Sequence, residues 1–439
     1  MSLPATTASG NNPGRGTPSQ SPWTWVPTLY LAEGLPYVVV MTVSVIMYKG
    51  FGVSNTDIAL LTSWLYLPWV IKPLWSPVVD LIATRRRWIW VMQLVLAAGF
   101  AAVALAAPTS DFLRWTMVAF ALLAFASATH DIAADGYYML AASEKQQSFF
   151  VGVRTMFYRV ANIFGQGLVV MLAGVLQARS GDPRSAWSVT MGSLAAMFLV
   201  FAVWHRFVLP RAAADVPGEA RRIPHFVKEF LATFGTFFAR PKIGAILLFL
   251  LLYRLGEAQL VKLAAPFLLD ARDQGGLGLS TTQVGFLYGT IGIAALTLGG
   301  VLGGVAIARD GLKRWLWFML FAIQAPDVLY VFLAYAQPEN IVFVQLAVAL
   351  EQFGYGFGFT AYVVYMMYIA RGKHSTAHYA ICTGFMALGM MLPGMWSGWL
   401  EDQIGYRNFF IWVCIATIPS FIVAAWIPLE ASFGKRAES

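Results

Sequence analysis

Residues 80–87 read Asp-Leu-Ile-Ala-Thr-Arg-Arg-Arg, and residues 308–314 read Ala-Arg-Asp-Gly-Leu-Lys-Arg. Each stretch joins an acid to a basic cluster, and each follows the second long apolar run of its half of the chain. Basic residues alone carry little information here, because Lys and Arg are common in cytoplasmic loops of membrane proteins. The acid repeated in register is more specific, and it predicts two related halves.

Composition places the chain in a lipid bilayer. Of its 439 residues, 58% are hydrophobic and 12% are charged, and the mean hydropathy is +0.64. A soluble domain has about 25% charged residues, so this chain has too little polar surface to cover a globule in water. The net charge of +8 predicts no nucleic-acid partner, because most Lys and Arg lie in short loops between apolar runs.

Twelve apolar runs have the length of a membrane span, which takes roughly 20 residues. They cover 24–49, 57–82, 88–107, 115–141, 149–177, 186–209, 243–269, 282–308, 313–336, 340–370, 375–400 and 405–428. The polar interval between the sixth and seventh runs divides them six and six. We therefore predict an all-α membrane protein with two pseudo-symmetric six-helix halves. The predicted units are a cytoplasmic tail (1–23), a first half (24–209), a linker (210–242), a second half (243–428) and a second tail (429–439).

The segments outside the spans predict no chemistry. The polar amino-terminal tail is expected to be disordered, and it has no apolar core of a signal peptide. In the linker, residues 224–239 place phenylalanines at helical spacing, which predicts either an amphipathic surface helix or an ordinary linker helix. Cys382 and Cys414 both lie in apolar runs and are expected to be small core residues.

The basic residues also predict the orientation. If the amino terminus is cytoplasmic, that side of the membrane collects 19 of the 30 Lys and Arg residues, and the opposite side collects six. The positive-inside rule then places both termini in the cytoplasm. The membrane that we expect is a bacterial inner membrane.

The two repeated loops resemble the motif between helices 2 and 3, and 8 and 9, of the major facilitator superfamily. In that superfamily the acid and bases latch helices together in the outward-open state. The resemblance implies a cytoplasmic gate formed by Asp80, Arg85, Arg86, Arg87, Asp310, Lys313 and Arg314.

Ionisable residues inside the apolar runs are the most informative part of the sequence. Each costs about 2.5–3.5 kcal/mol to insert in a membrane helix. Besides His130 there are six acids and five bases, and this near-balance predicts pairing across a polar cavity. They are Glu33, Asp131, Asp135, Glu257, Asp327 and Glu351, and Lys72, Arg154, Arg159, Arg254 and Lys262. For any one residue, a structural ion pair and a direct role in transport both stay open.

The fourth span carries His130-Asp131 and, one turn later, Asp135. Two carboxylates on one helix face repel in a low dielectric, which favours binding of a proton by one of them. The sequence lacks the further His or Cys cluster of a metal site, so we predict no metal. The candidates for proton coupling are Asp131, Asp135, Glu33, Glu351, Glu257 and His130.

The fifth span places Arg159, Asn162 and Gln166 along one stripe. Arg159 could bind an anionic substrate, and pairing with a span-four aspartate is the favoured interpretation. In the seventh span, Arg254 and Glu257 are spaced to form a local bridge. The candidates for substrate binding are Lys72, Arg159, Arg254, Tyr37, Tyr158, Tyr253, Asn162, Gln166 and Gln352.

Several segments resemble the AmpG muropeptide permeases and, more distantly, the eukaryotic acetyl-CoA transporter. They are 72–80 (Lys-Pro-Leu-Trp-Ser-Pro-Val-Val-Asp), 127–135 (Ser-Ala-Thr-His-Asp-Ile-Ala-Ala-Asp), Tyr158-Arg159, 252–258 (Leu-Tyr-Arg-Leu-Gly-Glu-Ala) and Leu350-Glu351. The resemblance implies proton-driven import of N-acetylglucosaminyl-anhydromuramyl peptides for cell-wall recycling. Glu33 and His130 depart from the family pattern, which has a small residue and Gln there, and they indicate a divergent branch.

These observations together predict a proton-coupled secondary transporter that imports a sugar-containing solute. An exporter or a carrier for another sugar conjugate, a siderophore or an acidic metabolite stays open as an alternative. We expect no enzyme activity, because the loops are too short for a catalytic domain, and no catalytic residue, cofactor or channel pore. The expected partners are a polar solute, a proton and the bilayer, and the expected state is a monomer.

Overall fold

The computed structural model describes residues 21–213, 215–216, 232–372, 375–430 and 433–435. Some side chains within these ranges, including that of Asp80, lie outside the description. Residues 224–231 of the predicted linker helix are also outside the described residues, whereas residues 232–238 are helical.

The described chain forms twelve long helices, numbered here α1–α12. They are α1 (Pro22–Gly50), α2 (Asn55–Trp64 and Leu67–Ile82), α3 (Arg85–Ala106), α4 (Phe112–Ala141), α5 (Glu144–Asn162, Ile163–Val169 and Val170–Ser180), α6 (Pro183–Val208), α7 (Ile243–Leu252 and Leu255–Leu269), α8 (Thr281–Asp310), α9 (Leu312–Gln324 and Asp327–Ala336), α10 (Ile341–Ala370), α11 (375–404) and α12 (406–424).

By length and hydropathy, ten helical segments of the described chain can cross a membrane. That set treats α11 and α12 as one segment and omits α2, which is broken into two shorter parts. Gly405 separates α11 from α12 with a φ of 73°, a conformation that favours glycine. The predicted twelve-helix architecture is confirmed.

Helices α1–α6 form the first half of the bundle and α7–α12 the second half. We call the end that carries Ser21 and Lys435 the terminal end, and the opposite end the distal end. Glycines allow close contact where the halves meet. A Cβ added to Gly398 of α11 would lie 2.0 Å from the carbonyl oxygen of Asn55 in α2, and one added to Gly289 of α8 would lie 2.0 Å from the Cα of Gly167 in α5.

Polar side chains close the distal end between the two halves. Lys49 Nζ lies 2.7 Å from Asp270 Oδ1, and Asn55 Nδ2 donates to Glu401 Oε2 at 2.6 Å and to the Tyr406 hydroxyl at 2.8 Å. The Tyr406 hydroxyl in turn donates to Asp270 at 2.6 Å. We call these five residues the distal lock.

Candidate functional site

Three carboxylates meet in the middle of the first half. Glu33 comes from α1, and Asp131 and Asp135 come from α4, one helical turn apart. One oxygen from each lies within 4.8 Å of the others. We call this group the first acid cluster, and it joins two residues predicted from one helix face with a third from another helix.

Two cations bind the first acid cluster. The Lys72 ammonium of α2 donates to Asp131 Oδ2. Arg154 of α5 lies 2.8 Å from Asp135 Oδ1, and the Tyr30 hydroxyl donates to the same oxygen at 3.2 Å. The Arg154 guanidinium also stacks 4.7 Å from the centroid of the Tyr30 ring. Tyr30 therefore positions both members of this ion pair.

Water reaches the first acid cluster from the terminal end. The Asp135 side chain is 42% exposed and that of Asp131 is 21% exposed, and both lie in the carboxyl-terminal part of α4, toward the terminal end. Because the distal lock closes the opposite end, the access route runs to the terminal end. Three carboxylates face two cations here, so the cluster carries one negative charge when all its groups are ionised, and it can bind one further cation.

The pairing predicted for Arg159 is wrong. Asp131 and Asp135 take Lys72 and Arg154 as partners, and Arg159 instead reaches into the second half, where its Nη1 donates to Thr297 at 3.2 Å. Arg154 lies about one and a half turns before Arg159 on α5, which turns the two guanidinium groups to different faces. Arg159 therefore bridges the halves.

A second group of three acids lies in the second half. Glu257 of α7, Asp327 of α9 and Glu351 of α10 are at most 3% exposed, and we call them the second acid cluster. No described residue donates a hydrogen bond to the carboxylate of Glu257 or Asp327. Glu351 accepts from the side chain of Gln352 at 2.9 Å. This cluster is thus buried and forms no ion pair within 4.0 Å among the described side chains, although Arg254 lies close enough to interact with the charge of Glu257.

The local bridge predicted between Arg254 and Glu257 is also wrong. The helix breaks at Tyr253-Arg254, so the i, i+3 geometry of a continuous helix is lost. Arg254 instead donates to the Tyr355 hydroxyl at 2.8 Å and lies 5.0 Å from the ring centroids of Tyr355 and Phe359.

His130 belongs to a buried hydrogen-bonded chain across the first half. Its Nε2 lies 2.9 Å from the Gln93 amide nitrogen, the Gln93 oxygen lies 2.9 Å from His205 Nδ1, and His205 Nε2 lies 3.0 Å from the Thr28 hydroxyl. Because an amide nitrogen only donates, His130 Nε2 accepts. The chain ties α4 to α3, α6 and α1, and it does not support a proton-coupling role for His130.

The remaining substrate candidates fall in two environments. Tyr37 is half-buried against Trp69, with ring centroids 5.1 Å apart, and Asn162 donates to the Tyr158 carbonyl at 2.9 Å in its own helix. Tyr253 is fully buried, stacks on Tyr362 and donates to the Gly358 carbonyl, a core position that does not support substrate contact. Tyr158, Gln166 and Gln352 are half-buried.

The predicted gate residues make contacts inside their own halves or with the linker. Asp310 lies 3.2 Å from Arg309 and 3.5 Å from Arg314, and it accepts from the Trp315 indole. Arg85 and Arg86 both donate backbone N–H groups to the carboxylate of Asp215, at 2.8 and 2.9 Å. Arg87 and Lys313 are exposed, and the Asp80 side chain lies outside the described part of the chain. Their gating role stays a prediction.

Sequence reasoning counted Arg154 and Asp327 among the buried charges but gave neither a role. Arg154 lies in the polar first part of α5, where the sequence does not separate a residue inside the bundle from one near the loop. Asp327 follows Pro326 at a helix break. The free-energy cost of an acid inside a membrane span is the sequence feature that indicates a functional role for it.

Comparison with known proteins agrees with this architecture. Residues 28–371 match the profile of the Major Facilitator Superfamily. The chain is 25% identical over 361 residues to the anhydromuropeptide permease of Escherichia coli strain K12, covering 81% of this chain and 69% of that protein. It is 24% identical over 411 residues to the transporter AmpG 4 of Rickettsia conorii, covering 91% and 94% of the two chains.

Solved structures show the same fold. The D-xylose-proton symporter superposes with a TM-score of 0.69 at 16% identity, over 94% of this chain and 99% of that one. The nucleoside transporter NupG superposes with a TM-score of 0.67 at 14% identity, over 92% and 99%. With twelve helices, two halves and a profile match over most of its length, the chain belongs to the Major Facilitator Superfamily and is a multi-pass membrane transporter similar to the AmpG permeases.

Proposed function

We propose that this protein is a proton-coupled importer of a sugar-containing solute, with N-acetylglucosaminyl-anhydromuramyl peptides or a related amino-sugar disaccharide as the substrate. The observation that supports coupling is the charge of the first acid cluster, where three carboxylates within 4.8 Å face two cations. The substrate class comes from the relatives, one of which is named an anhydromuropeptide permease.

The first acid cluster is suited to carry a proton, because binding or releasing one proton changes its net charge between zero and minus one. With one proton bound, its three carboxylates and two cations are neutral together. Releasing that proton in the terminal-end-open arrangement leaves a net negative charge, which Lys72 and Arg154 stabilise through their pairs with Asp131 and Asp135. The cluster can therefore exist in both states without leaving a cation unpaired.

Transport then requires that the cluster face each side of the membrane in turn. In this structure the distal lock is closed and water reaches Asp135 from the terminal end. With both termini in the cytoplasm, as the basic loops predict, this is the inward-open state. Rocking of the two halves about their glycine contacts would open the distal end, where proton and solute bind from the periplasm.

Sodium is the alternative coupling ion, since carboxylate oxygens also bind hard cations. Two of the three carboxylates already bind the Lys72 ammonium and the Arg154 guanidinium, so a hard cation here would compete with these two groups for its oxygen ligands. We therefore favour the proton.

Uptake by energised membrane vesicles tests the proposal. Labelled N-acetylglucosaminyl-anhydro-N-acetylmuramic acid should accumulate in vesicles that carry the protein, and a protonophore should abolish accumulation. Concentrative uptake that survives the protonophore but needs a sodium gradient would contradict proton coupling. Efflux of preloaded solute against its gradient would instead identify an exporter.

A further inference from the structure

Lys262 is a buried lysine at the contact between the two halves. It lies in the second part of α7, and its side chain is 2% exposed. Its ammonium donates to the Thr62 hydroxyl of α2 at 2.8 Å and lies 5.2 Å from the centroid of the Tyr66 ring. Both partners belong to the first half and both are uncharged.

The Thr62 hydroxyl is a neutral hydrogen-bond acceptor for Lys262 and supplies no negative charge. Its own hydrogen goes to the Ile58 carbonyl at 2.6 Å, so its oxygen is free to accept from Lys262. An ammonium group has three donors. No carboxylate of the described chain lies within 4.0 Å of Lys262, so its charge is not balanced by a neighbouring acid.

Arg254, on the same helix, also forms no ion pair within 4.0 Å, although Glu257 lies close enough to interact with its charge. It is 8% exposed, donates to a tyrosine hydroxyl, and leaves its Nε without a hydrogen-bond partner among the described residues. It lies eight residues before Lys262, or about 12 Å along the helix at 1.5 Å per residue. Helix α7 therefore presents two buried basic side chains that form no ion pair within 4.0 Å.

The surroundings of Lys262 include a spare polar group and a closely packed glycine. The Ser63 hydroxyl is fully buried and has no hydrogen-bond partner among the described residues. Gly394 of α11 faces both residues, because a Cβ added to it would lie 2.8 Å from Ser63 Oγ and 3.3 Å from Lys262 Cε. A larger residue in place of Gly394 would displace them.

A buried charge with no counter-ion costs several kcal/mol, and charges inside membrane helices mark substrate or ion pathways. We propose that Lys262 binds a carboxylate of the transported solute, with Arg254 adding positive charge further along the same helix. This inference rests on the proposed function and narrows its substrate to an acidic sugar conjugate.

The location of Lys262 explains when this binding occurs. Its acceptor Thr62 belongs to the other half, so separation of the halves at the distal end removes the hydrogen bond. The ammonium then faces the open cavity with no partner. An anionic solute replaces Thr62 with an opposite charge, and its charge-assisted hydrogen bonds are stronger than the neutral one.

A matched pair of solutes tests this assignment: labelled N-acetylglucosaminyl-anhydro-N-acetylmuramic acid and its methyl ester, which lacks the negative charge. In wild-type vesicles the KM of the ester should be at least tenfold higher than that of the acid. Lys262→Met should raise the KM of the acid at least tenfold and leave that of the ester unchanged, and Lys262→Arg should restore part of the preference. Arg179→Met, at an exposed site, is the control.

Thermal unfolding of the purified protein gives a second readout that does not depend on transport. Lys262→Met should raise the Tm, because it replaces an unpaired buried charge by an apolar side chain of similar length. A lower Tm with equal loss of acid and ester uptake overturns the inference, since it makes Lys262 a structural tie between the halves. Failure of wild-type vesicles to accumulate either compound contradicts the proposed function, while the direction of the Tm shift still decides whether Lys262 is a structural tie.

Discussion

The two halves of the bundle each hold three acids between their helices, but the ion pairing and the exposure of these acids differ between the halves. In the first acid cluster, Lys72 and Arg154 pair with Asp131 and Asp135, and these two carboxylates are partly exposed while Glu33 is buried. In the second, Asp327 and Glu257 accept no hydrogen bond from a described residue and are at most 1% exposed. The same number of acids thus gives a charged, accessible site in one half and a dry one in the other.

The difference arises from where the cations point. Lys72 and Arg154 come from α2 and α5, and both reach toward α4. In the second half, both cations come from the broken helix α7, and they reach Tyr355 and Thr62 instead of the acids. Acids without counter-ions in a dry site are stable only when they hold protons. We infer that, in this state, the first cluster exchanges a proton and the second holds its protons, with release from Glu351 confined to another state of the cycle.

The largest expected effect is that of Asp131→Asn. It removes the counter-ion of Lys72 and one of the three carboxylates, so it should abolish concentrative uptake. Removing one member of a buried ion pair typically costs about 3–5 kcal/mol, and the partial exposure of this pair reduces that cost. Vesicle uptake and thermal unfolding measure the two effects, with the exposed Asp273→Asn as control. Full accumulation by Asp131→Asn would contradict a role of the first cluster in coupling.

Glu351→Gln should impair accumulation about tenfold, an effect equivalent to about 1.4 kcal/mol, and leave the Tm unchanged. The amide has the shape of the protonated acid, so the structure described here tolerates it, whereas a transport step that deprotonates Glu351 does not. Uptake and unfolding are measured on the same preparation. Wild-type accumulation would show that the second cluster plays no part in the cycle.

Weakening the distal lock should shift the protein toward the distal-end-open arrangement. Asp270→Asn removes the charge that binds Lys49 while keeping the size of the side chain. Thiol labelling from the distal side reports the shift at Ser63→Cys, a fully buried position, in a background that lacks Cys382 and Cys414. We expect labelling about tenfold faster than with Asp270 intact, as a shift of about 1.4 kcal/mol produces. Equal labelling rates would mean that other contacts keep the distal end closed.

The smallest effect is expected for Asp327→Asn. If Asp327 holds a proton throughout the transport cycle, the Asp327→Asn variant should change uptake by less than about threefold. Its Tm should be the same or slightly higher, with a change in the free energy of unfolding within about 0.5 kcal/mol. The paired comparison with Asp131→Asn then separates the two clusters directly. A loss of uptake as large as that of Asp131→Asn would show that the clusters are functionally equivalent, against the difference in their surroundings.

The class of protein and its two-halved plan follow from the sequence. Twelve apolar runs, the repeated acid-and-base loops and the motifs from Lys72 to Glu351 were enough to predict a two-halved transporter, and the span boundaries agree with the helices to within a few residues. This works because the bilayer requires long apolar helices, so hydropathy along the chain reports the fold almost directly. The buried acids could also be identified from the sequence, since each interrupts an apolar run at a high free-energy cost in lipid.

Tertiary structure alone decided which charges meet. Arg154 rather than Arg159 pairs with Asp135, because helix rotation turns two residues five apart to different faces. Arg254 misses Glu257 because α7 breaks between Leu252 and Leu255, which no local pattern indicated. Lys262 gained a role because its neighbours come from α2 and α11, far away in sequence. A pairing depends on the packing angle and register of several helices together, and that information is not local to any one of them.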